Sequence, residues 1–153
     1  KKIIILNGHG DNSPTLQYAA QMINRDANIF VCVDTGETSD PDLYNLIDTQ
    51  NDIHAGEIET STTLALRPEE VQMDKAVNKT LEFGGSYLDF DSIRRVAWYV
   101  RTNKLSKSGI MGDPTKATAE KGKKMWEIII AHLVKFTEEI KRASLDDLYQ
   151  KRY

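Results

Sequence analysis

The stretch of sequence that decides the fold is Lys2-Ile3-Ile4-Ile5-Leu6-Asn7-Gly8-His9-Gly10-Asp11-Asn12. Its first part, up to Leu6, is a continuous run rich in isoleucine, which predicts a β-strand covered on both faces. The second part is polar, and its two glycines permit a close approach of the backbone or a positive φ angle. The stretch therefore predicts a strand that ends in a tight polar turn.

The residues after this turn complete a strand–helix–strand unit. Ser13 and Pro14 predict a helix start, with a capping hydroxyl followed by proline at the first helical position. Residues 28–33 return as a second apolar strand. Such a βαβ unit predicts an α/β fold with an at least partly parallel sheet. Ligands of these sheets bind beyond the carboxyl ends of the strands, where His9 and Asp11 fall.

Length and composition set further bounds on the class of protein. The chain has 153 residues, which suits a single domain over residues 1–153. Twenty basic residues against 23 acidic ones give a net charge of -3, so no nucleic-acid-binding character is indicated. The apolar runs are too short to predict a membrane span. The single Cys32 excludes an intramolecular disulfide, and we expect a cytoplasmic, reducing location.

A pair of candidate metal ligands lies in the first polar turn. His9 and Asp11 are two residues apart, so in an extended turn both side chains can point the same way. Imidazole nitrogen and carboxylate oxygen together suit zinc, manganese or iron. The alternative is structural: Asp11 caps the following helix and His9 bonds the backbone.

A second polar cluster is His54-Ala55-Gly56-Glu57-Ile58-Glu59-Thr60-Ser61. It places one imidazole and two carboxylates close together at the start of a predicted helix, which runs to about Leu66 and is stopped by Pro68. His54 with Glu59 or Glu57 can complete a metal site or act as acid and base. The alternative is a well-capped helix N-terminus, because the helix dipole favours acidic side chains there.

The C-terminal part of the chain is predicted to be mainly helical. Residues 112–115 open the longest predicted helix, and His132, in its middle, is interpreted as structural. Its core face consists of Met125, Ile129, Leu133, Phe136 and Ile140. Its exposed face consists of Lys116, Lys121, Lys123 and Lys124. The tail offers Leu145, Leu148 and Tyr149 for docking on a neighbour. Residues 92–101 fit a strand or a helix equally well.

Three blocks together resemble the creatininase (creatinine amidohydrolase) family. Residues 3–12 are similar to its strand and Asn-Gly-His-Gly-Gly-Asn loop, and residues 54–61 to its His-Ala-Gly-x-x-Glu-Thr-Ser motif. The third block is Gly112-Asp113-Pro114-Thr115-Lys116-Ala117-Thr118-Ala119-Glu120-Lys121-Gly122. The blocks occur in the family's order and cover most of the chain. The chain is therefore identified from its sequence as a member of this family.

The resemblance implies a fold and an activity. The family has a three-layer α/β/α fold with a mainly parallel central sheet. Its members are metal-dependent amidohydrolases with two divalent metal ions, zinc, manganese or iron. They use metal-activated water to hydrolyse C–N bonds in cyclic amides or formamides. The expected partners are a small-molecule substrate and further copies of the chain in a homo-oligomer, often a hexamer, with no nucleic acid and no membrane.

The resemblance also implies roles for individual residues. His9 matches a metal ligand of the family, and Asp11 takes the place of a Glu ligand of creatininase proper, where many relatives have Gly. His54 matches a histidine that acts in catalysis near the bridging water. Glu59 matches the acid of the motif and is expected to act in catalysis or bind metal. Glu57 is expected to bind substrate.

Two departures from the family pattern shape the expected function. A Glu-x-His-Gly-x-His-x-Pro-x-x-x-Asp type block, which should precede the first strand, is absent from the 153 residues. The 153 residues are then expected to correspond to the C-terminal two-thirds of a family member and to hold about half of a dinuclear metal site. We therefore expect the native protein to be longer at its N-terminus. Gln50 stands where creatininase proper has a tryptophan that packs on creatinine, so creatinine is not the expected substrate. The alternatives are an inosose or lactone hydrolase, and a non-catalytic binding or structural module.

Overall fold

The computed structural model describes residues 1–35, 41–82 and 99–149. Within these residues the strands are β1 (Lys2–Leu6) and β2 (Phe30–Asp34). The helices are α1 (Ser13–Asp26), α2 (Pro41–Tyr44), α3 (Glu57–Leu66), α4 (Thr102–Leu105), α5 (Ala119–Arg142) and α6 (Leu145–Leu148). Short 3-10 turns lie at Gly10–Asn12, Pro68–Glu70, Met73–Lys75 and Pro114–Lys116.

The chain divides into two compact units. The first comprises Lys1–Pro41 with Glu127–Tyr153, and the second comprises Asp42–Trp126. The first unit contains the polar turn after β1, and the second contains the whole His54 cluster. The interpretation of residues 1–153 as one domain stays a prediction.

The first unit is built on the strand–helix–strand unit that the sequence predicts. β1 and β2 pair in parallel, with Lys2 opposite Phe30 and Leu6 opposite Asp34, which confirms the α/β class. The predicted cover on both faces of β1 is incomplete, because Ile3 is 43% exposed and Leu6 is 61% exposed. The isoleucine run therefore makes the strand through its β propensity rather than through full burial.

Specific hydrogen bonds fasten the elements of the first unit. The Asn24 amide donates to the Val31 carbonyl at 2.8 Å and accepts the Val31 N–H at 2.6 Å, which ties α1 to β2. The Tyr149 hydroxyl donates to the Ile29 carbonyl at 2.8 Å, and the Tyr149 and Phe30 rings pack edge to face with 6.1 Å between their centroids. Tyr149, which the sequence suggests for docking on a neighbour, thus docks on its own chain.

The second unit is organised around α3. Ser61 is fully buried, and its hydroxyl accepts the Thr118 N–H at 3.2 Å. A Cβ on Gly122 would lie 1.9 Å from the Ser61 carbonyl oxygen, so glycine permits the close approach of α5 to α3 at this point. The Trp126 indole N–H donates to the Thr62 carbonyl at 3.0 Å. The end of α3 at Leu66 confirms the predicted stop before Pro68.

The long helix α5 differs in two ways from its predicted form. It begins at Ala119, because residues 112–115 lead into the 3-10 turn, which ends where Ala117 is extended. Of the predicted core face only Met125 is fully buried, and the other members are half-buried.

The structure bears on two further points, the ambiguous segment at residues 92–101 and membrane spans. Most of the ambiguous segment at residues 92–101 lies outside the described residues, and α4 follows it. No helix in the described part of the chain is long and apolar enough to cross a membrane.

Candidate active site

The His54 loop, residues 51–56, is fixed by backbone pairing with Met111. The N–H groups of Ile53 and His54 donate to the Met111 carbonyl at 2.8 and 3.0 Å, and the Met111 N–H donates to the His54 carbonyl at 2.8 Å. Directly after this bridge, Ala55 has a φ of 50°, a left-handed conformation that is uncommon for a residue with a side chain. The backbone therefore turns sharply between His54 and the start of α3.

This turn brings together His54 and Glu59. The distance from His54 Nδ1 to Glu59 Oε2 is 3.8 Å, and both side chains are partly open to solvent, with 40% and 46% exposure. The Ala55 N–H donates to Glu59 Oε2, which fixes the carboxylate beside the imidazole. The pair is thus an accessible imidazole next to an oriented carboxylate, an arrangement suited to proton transfer.

Glu57 has different surroundings. Its side chain is fully buried, and its Oε2 accepts the N–H groups of Asp48 and Thr49 at 3.0 and 2.9 Å and the Thr49 hydroxyl at 2.6 Å. Its Oε1 accepts a bond from Lys121. These contacts favour a role in holding the segment before the His54 loop, and substrate binding by Glu57 stays a prediction.

Lys121 corrects one interpretation of the lysine run. The sequence places it on an exposed helix face, but its ammonium group pairs with Glu57 and with Asp48, the latter at 2.8 Å. Burial lowers the pKa of Lys121, but the bonds to Asp48 and Glu57 outweigh burial and hold the pKa above its ordinary value. The prediction fails because the apolar and charged pattern of one helix does not reveal a buried carboxylate on another.

Asp52 is a residue of the loop that the sequence analysis missed. Its Oδ1 accepts the Glu57 N–H at 2.8 Å and its Oδ2 accepts the Ile58 N–H at 2.9 Å, so it caps the first turn of α3. Burial raises the pKa of the Asp52 carboxyl above its ordinary value, although the two N–H donors lower it. The sequence did offer a signal for this role: Asp52 lies five residues before the first residue of α3, and Gly56 directly precedes that helix.

The His9 loop, residues 7–12, lies in the first unit. Asn7, which is buried, donates from Nδ2 to the His9 carbonyl at 2.8 Å and accepts the His9 N–H at 3.3 Å. His9 itself is extended, but the next three residues form the 3-10 turn, so the expected extended turn is wrong. The Asp11 N–H donates to His9 Nδ1 at 3.2 Å, which is the backbone bond of the structural alternative.

Two features of this loop differ from the structural expectation. The cap position of α1 is occupied by Asn12 rather than Asp11, and the Asn12 side chain makes no capping bond. Ser13 is the first helical residue rather than the cap, and its hydroxyl accepts from Asn7 Nδ2 at 3.1 Å. Among the residues that the structure describes, a Cβ on Gly8 or Gly10 would have nothing within 4 Å, and neither glycine has a positive φ.

The donors present fit a divalent metal by type but not by number. His9, Asp11 and Glu59 supply the imidazole and carboxylate groups that zinc and manganese take. Within residues 1–35, 41–82 and 99–149, however, no three side chains of His, Cys, Asp or Glu lie close enough together to hold a metal ion. One nitrogen of His9 is also occupied by the Asp11 N–H.

Comparison with known proteins shows the class to which this chain belongs. The family model Creatininase, described as creatinine amidohydrolase, matches residues 1–137. The chain therefore belongs to the creatininase family, which confirms the resemblance stated from its three sequence blocks.

Individual relatives include peptidases as well as amidohydrolases. The mycofactocin precursor peptide peptidase of Mycolicibacterium smegmatis is 30% identical over 128 residues, which cover 82% of this chain and 44% of that protein. The corresponding peptidase of Mycobacterium tuberculosis is 28% identical over 140 residues, covering 88% and 47%. The chain thus spans about half the length of the curated relatives that it matches.

A solved structure with similar sequence supports the fold. It is a protein from Bacteroides fragilis assigned as a creatinine amidohydrolase, with a TM-score of 0.65 and 29% identity, covering 93% of this chain and 55% of that one. A creatininase structure has a TM-score of 0.63 at 19% identity, covering 92% and 56%, and shows the fold alone. The chain has the creatininase-like α/β fold.

Proposed function

We propose that this chain carries part of the active site of a metal-dependent hydrolase that cleaves C–N bonds. The observation that carries the proposal is the accessible pair of His54 and Glu59, with 3.8 Å between Nδ1 and Oε2. Membership of the creatininase family supports the class of reaction. The proposal assigns His54 and Glu59 as catalytic residues.

His54 is the proton carrier in this proposal. The nitrogen of an amide leaves readily only when it is protonated, so cleavage of a C–N bond needs a group that delivers a proton. The imidazole is the side chain whose ordinary pKa suits this task near neutral pH. Glu59, held by the Ala55 N–H, places its carboxylate beside the ring, 3.8 Å from Nδ1.

Two divalent metal ions are the proposed cofactors. When bound, such ions supply an activated water and stabilise charge on the carbonyl oxygen. Two structures with the same fold support their identity, one of manganese creatininase and one of a zinc–zinc form, and iron is also compatible with the donors. In this chain His9 and Asp11 in the first unit, and Glu59 in the second, stay the predicted ligands.

The substrate is proposed to be a small cyclic amide or formamide. Gln50, an exposed residue in place of the tryptophan of creatininase proper, argues against creatinine. A peptide substrate is the second candidate, because relatives that are 28% and 30% identical are named as peptidases of a precursor peptide. Both substrate classes present an amide C–N bond to the same His54 and Glu59, whereas a lactone would present an ester C–O bond.

The proposed assembly rests on the family resemblance, and the proposed location rests on the single cysteine. A homo-oligomer such as a hexamer and a cytoplasmic location remain proposals. Light scattering on the full protein tests the first, and fractionation of cells tests the second.

The deciding experiment measures metal content and hydrolysis together. The full protein is loaded with zinc or manganese and given cyclic amides, formamides, peptides and lactones, with released amine or acid as the readout. We expect amide cleavage that Glu59→Gln reduces by about 10²-fold, within the range of general acid–base catalysis. Glu69→Gln, an exposed acid of the same unit, is the matched control.

Three results would overturn the proposal. One is a metal-loaded protein that cleaves no amide, which would favour a binding or structural module. Another is cleavage of lactones alone, which would move the activity to C–O bonds. The third is equal activity of Glu59→Gln and Glu69→Gln, which would remove Glu59 from the reaction.

A further inference from the structure

The carboxylate of Asp52 lies where side chains at positions 56 and 112 would otherwise be, and both positions are glycine. A Cβ on Gly56 would lie 1.7 Å from Asp52 Oδ1, and a Cβ on Gly112 would lie 2.3 Å from the same atom. Real Cβ atoms do not approach other atoms this closely. Gly56 and Gly112 therefore form a socket that holds the Asp52 carboxylate.

From this socket the carboxylate holds the start of α3. Its two oxygens accept the N–H groups of Glu57 and Ile58, at 2.8 and 2.9 Å. Each of these donors lacks a partner within the helix, because the first four N–H groups of any α-helix do. Asp52 thus connects the chain just before His54 to the helix that carries Glu59.

Glu57 makes the reciprocal connection. While Asp52 accepts the N–H groups of Glu57 and Ile58, the Glu57 carboxylate accepts those of Asp48 and Thr49. Two carboxylates therefore join the segment before His54 to the first turn of α3. Asp52 belongs to the segment and Glu57 belongs to the helix.

Between Asp52 and Glu57 lie Ile53, His54, Ala55 and Gly56. With the backbone of His54 paired to Met111, the backbone freedom that remains between His54 and Glu59 lies in the turn at Ala55 and in the placement of α3. Asp52 closes that turn. We infer that Asp52 is a positioning residue that sets the distance between His54 and Glu59, an inference that rests on the proposed function.

The test compares Asp52→Asn with Asp74→Asn in the full protein. Asn keeps the size of the side chain and one acceptor oxygen, so the variant should fold, while its amide group faces an N–H without accepting it. Asp74 is an exposed acid of the same unit and serves as the control. We expect Asp52→Asn to lower kcat about tenfold or more with KM little changed, because small misplacements of catalytic groups are costly.

A second readout does not depend on catalysis. Hydrogen exchange measured by NMR should show the Glu57 and Ile58 amides exchanging about tenfold or more faster in Asp52→Asn than in the wild type or Asp74→Asn, while the melting temperature stays above the assay temperature. If the wild type cleaves no substrate, the proposed function fails and the exchange rates alone report on Asp52. Unchanged exchange at both amides, or an unchanged kcat in the folded variant of an active protein, would overturn the inference.

Discussion

The His54 loop and the His9 loop contain the same kinds of residue but are held in different ways. Each places a histidine next to glycine or a small residue and ahead of a helix. In the His54 loop, the space beside Gly56 is filled by the Asp52 carboxylate, and nearby Glu57 is fully buried. In the His9 loop, no described residue fills the space beside Gly8 and Gly10, and the neutral amide of Asn7 makes the bonds.

The difference shows that glycine can occur in a polar motif for more than one structural reason. At Gly56 it is required by packing, since a side chain would displace a charged group that has its own partners. At Gly8 and Gly10 no residue that the structure describes fills the space, so packing among these residues does not explain the glycine. Removing one partner of a buried charge costs more than removing a neutral hydrogen bond. The His54 loop should therefore be the more sensitive of the two loops to substitution.

The largest expected effect concerns activity at His54. His54→Asn removes the proton carrier while keeping a polar side chain of similar size, and the loop is fixed by backbone bonds to Met111 that the substitution leaves in place. We expect a loss of about 10²-fold or more in kcat, the range for general acid–base catalysis, with an unchanged melting temperature. Steady-state kinetics on the best amide substrate measures it.

The control for this prediction is His132→Asn, an exposed histidine in the middle of α5. It should retain wild-type kcat. Metal content is measured on both variants. Loss of metal in His54→Asn would make His54 a ligand instead of a proton carrier, and full activity would make it structural.

The next largest effect is on stability and concerns the ion pair between Lys121 and the buried Glu57. Lys121→Met leaves Glu57 fully buried without its cation. Breaking a fully buried ion pair costs about 3–5 kcal/mol. Because 24% of the Lys121 side chain is exposed, we expect a smaller loss of about 2–3 kcal/mol in the free energy of unfolding. Urea denaturation with an unchanged slope measures it.

Lys124→Met is the matched control on the same helix. Lys124 pairs with Glu120 at the surface, at 2.9 Å with both side chains largely exposed, and such pairs contribute little. Equal losses for the two variants would show that the Glu57 pair is no more important than a surface contact, and the contrast between the loops would lose its main support.

The third effect compares one glycine from each loop. Gly56→Ala forces a methyl group into the Asp52 carboxylate, and overpacking of this kind costs about 1–3 kcal/mol. The methyl group of Gly10→Ala meets no atom of the described part of the chain within 4 Å, so the effect on the free energy of unfolding should lie within about 0.5 kcal/mol. The same denaturation experiment compares them. A Gly10→Ala variant as unstable as Gly56→Ala would contradict the packing explanation.

The elements of the fold could be read from the sequence because their signals are local. The isoleucine run gives β1 over the predicted residues, and the stop before Pro68 ends α3 at Leu66. The parallel pairing of β1 with β2 follows from the helix that joins them. Local signals also placed His54 beside Glu59, since both lie within one short motif.

The contacts that hold the site could not be read in the same way. Lys121 is 64 residues from Glu57, and nothing in the lysine run indicates that one member turns inward. The side-chain directions of His9 and Asp11 were predicted from an extended turn, and the chain instead forms a 3-10 turn capped by the His9 ring. Pairings distant in sequence, and the choice among tight turns, depend on tertiary structure.

The smallest expected effect lies in the His9 loop. Asn7→Ala removes the two shorter bonds to the His9 carbonyl and the Ser13 hydroxyl, and two longer ones at 3.3 Å. The groups left behind around His9 are exposed and can bond to water, so we expect a loss of only about 1 kcal/mol, the typical net value of a neutral hydrogen bond. Asn12→Ala, which removes only one of the long bonds, should change stability by less than about 0.5 kcal/mol. Denaturation midpoints measure both. An Asn7→Ala loss as large as that of Lys121→Met would mean that a neutral amide holds its loop as firmly as a buried ion pair, and the two loops would then differ in chemistry but not in rigidity.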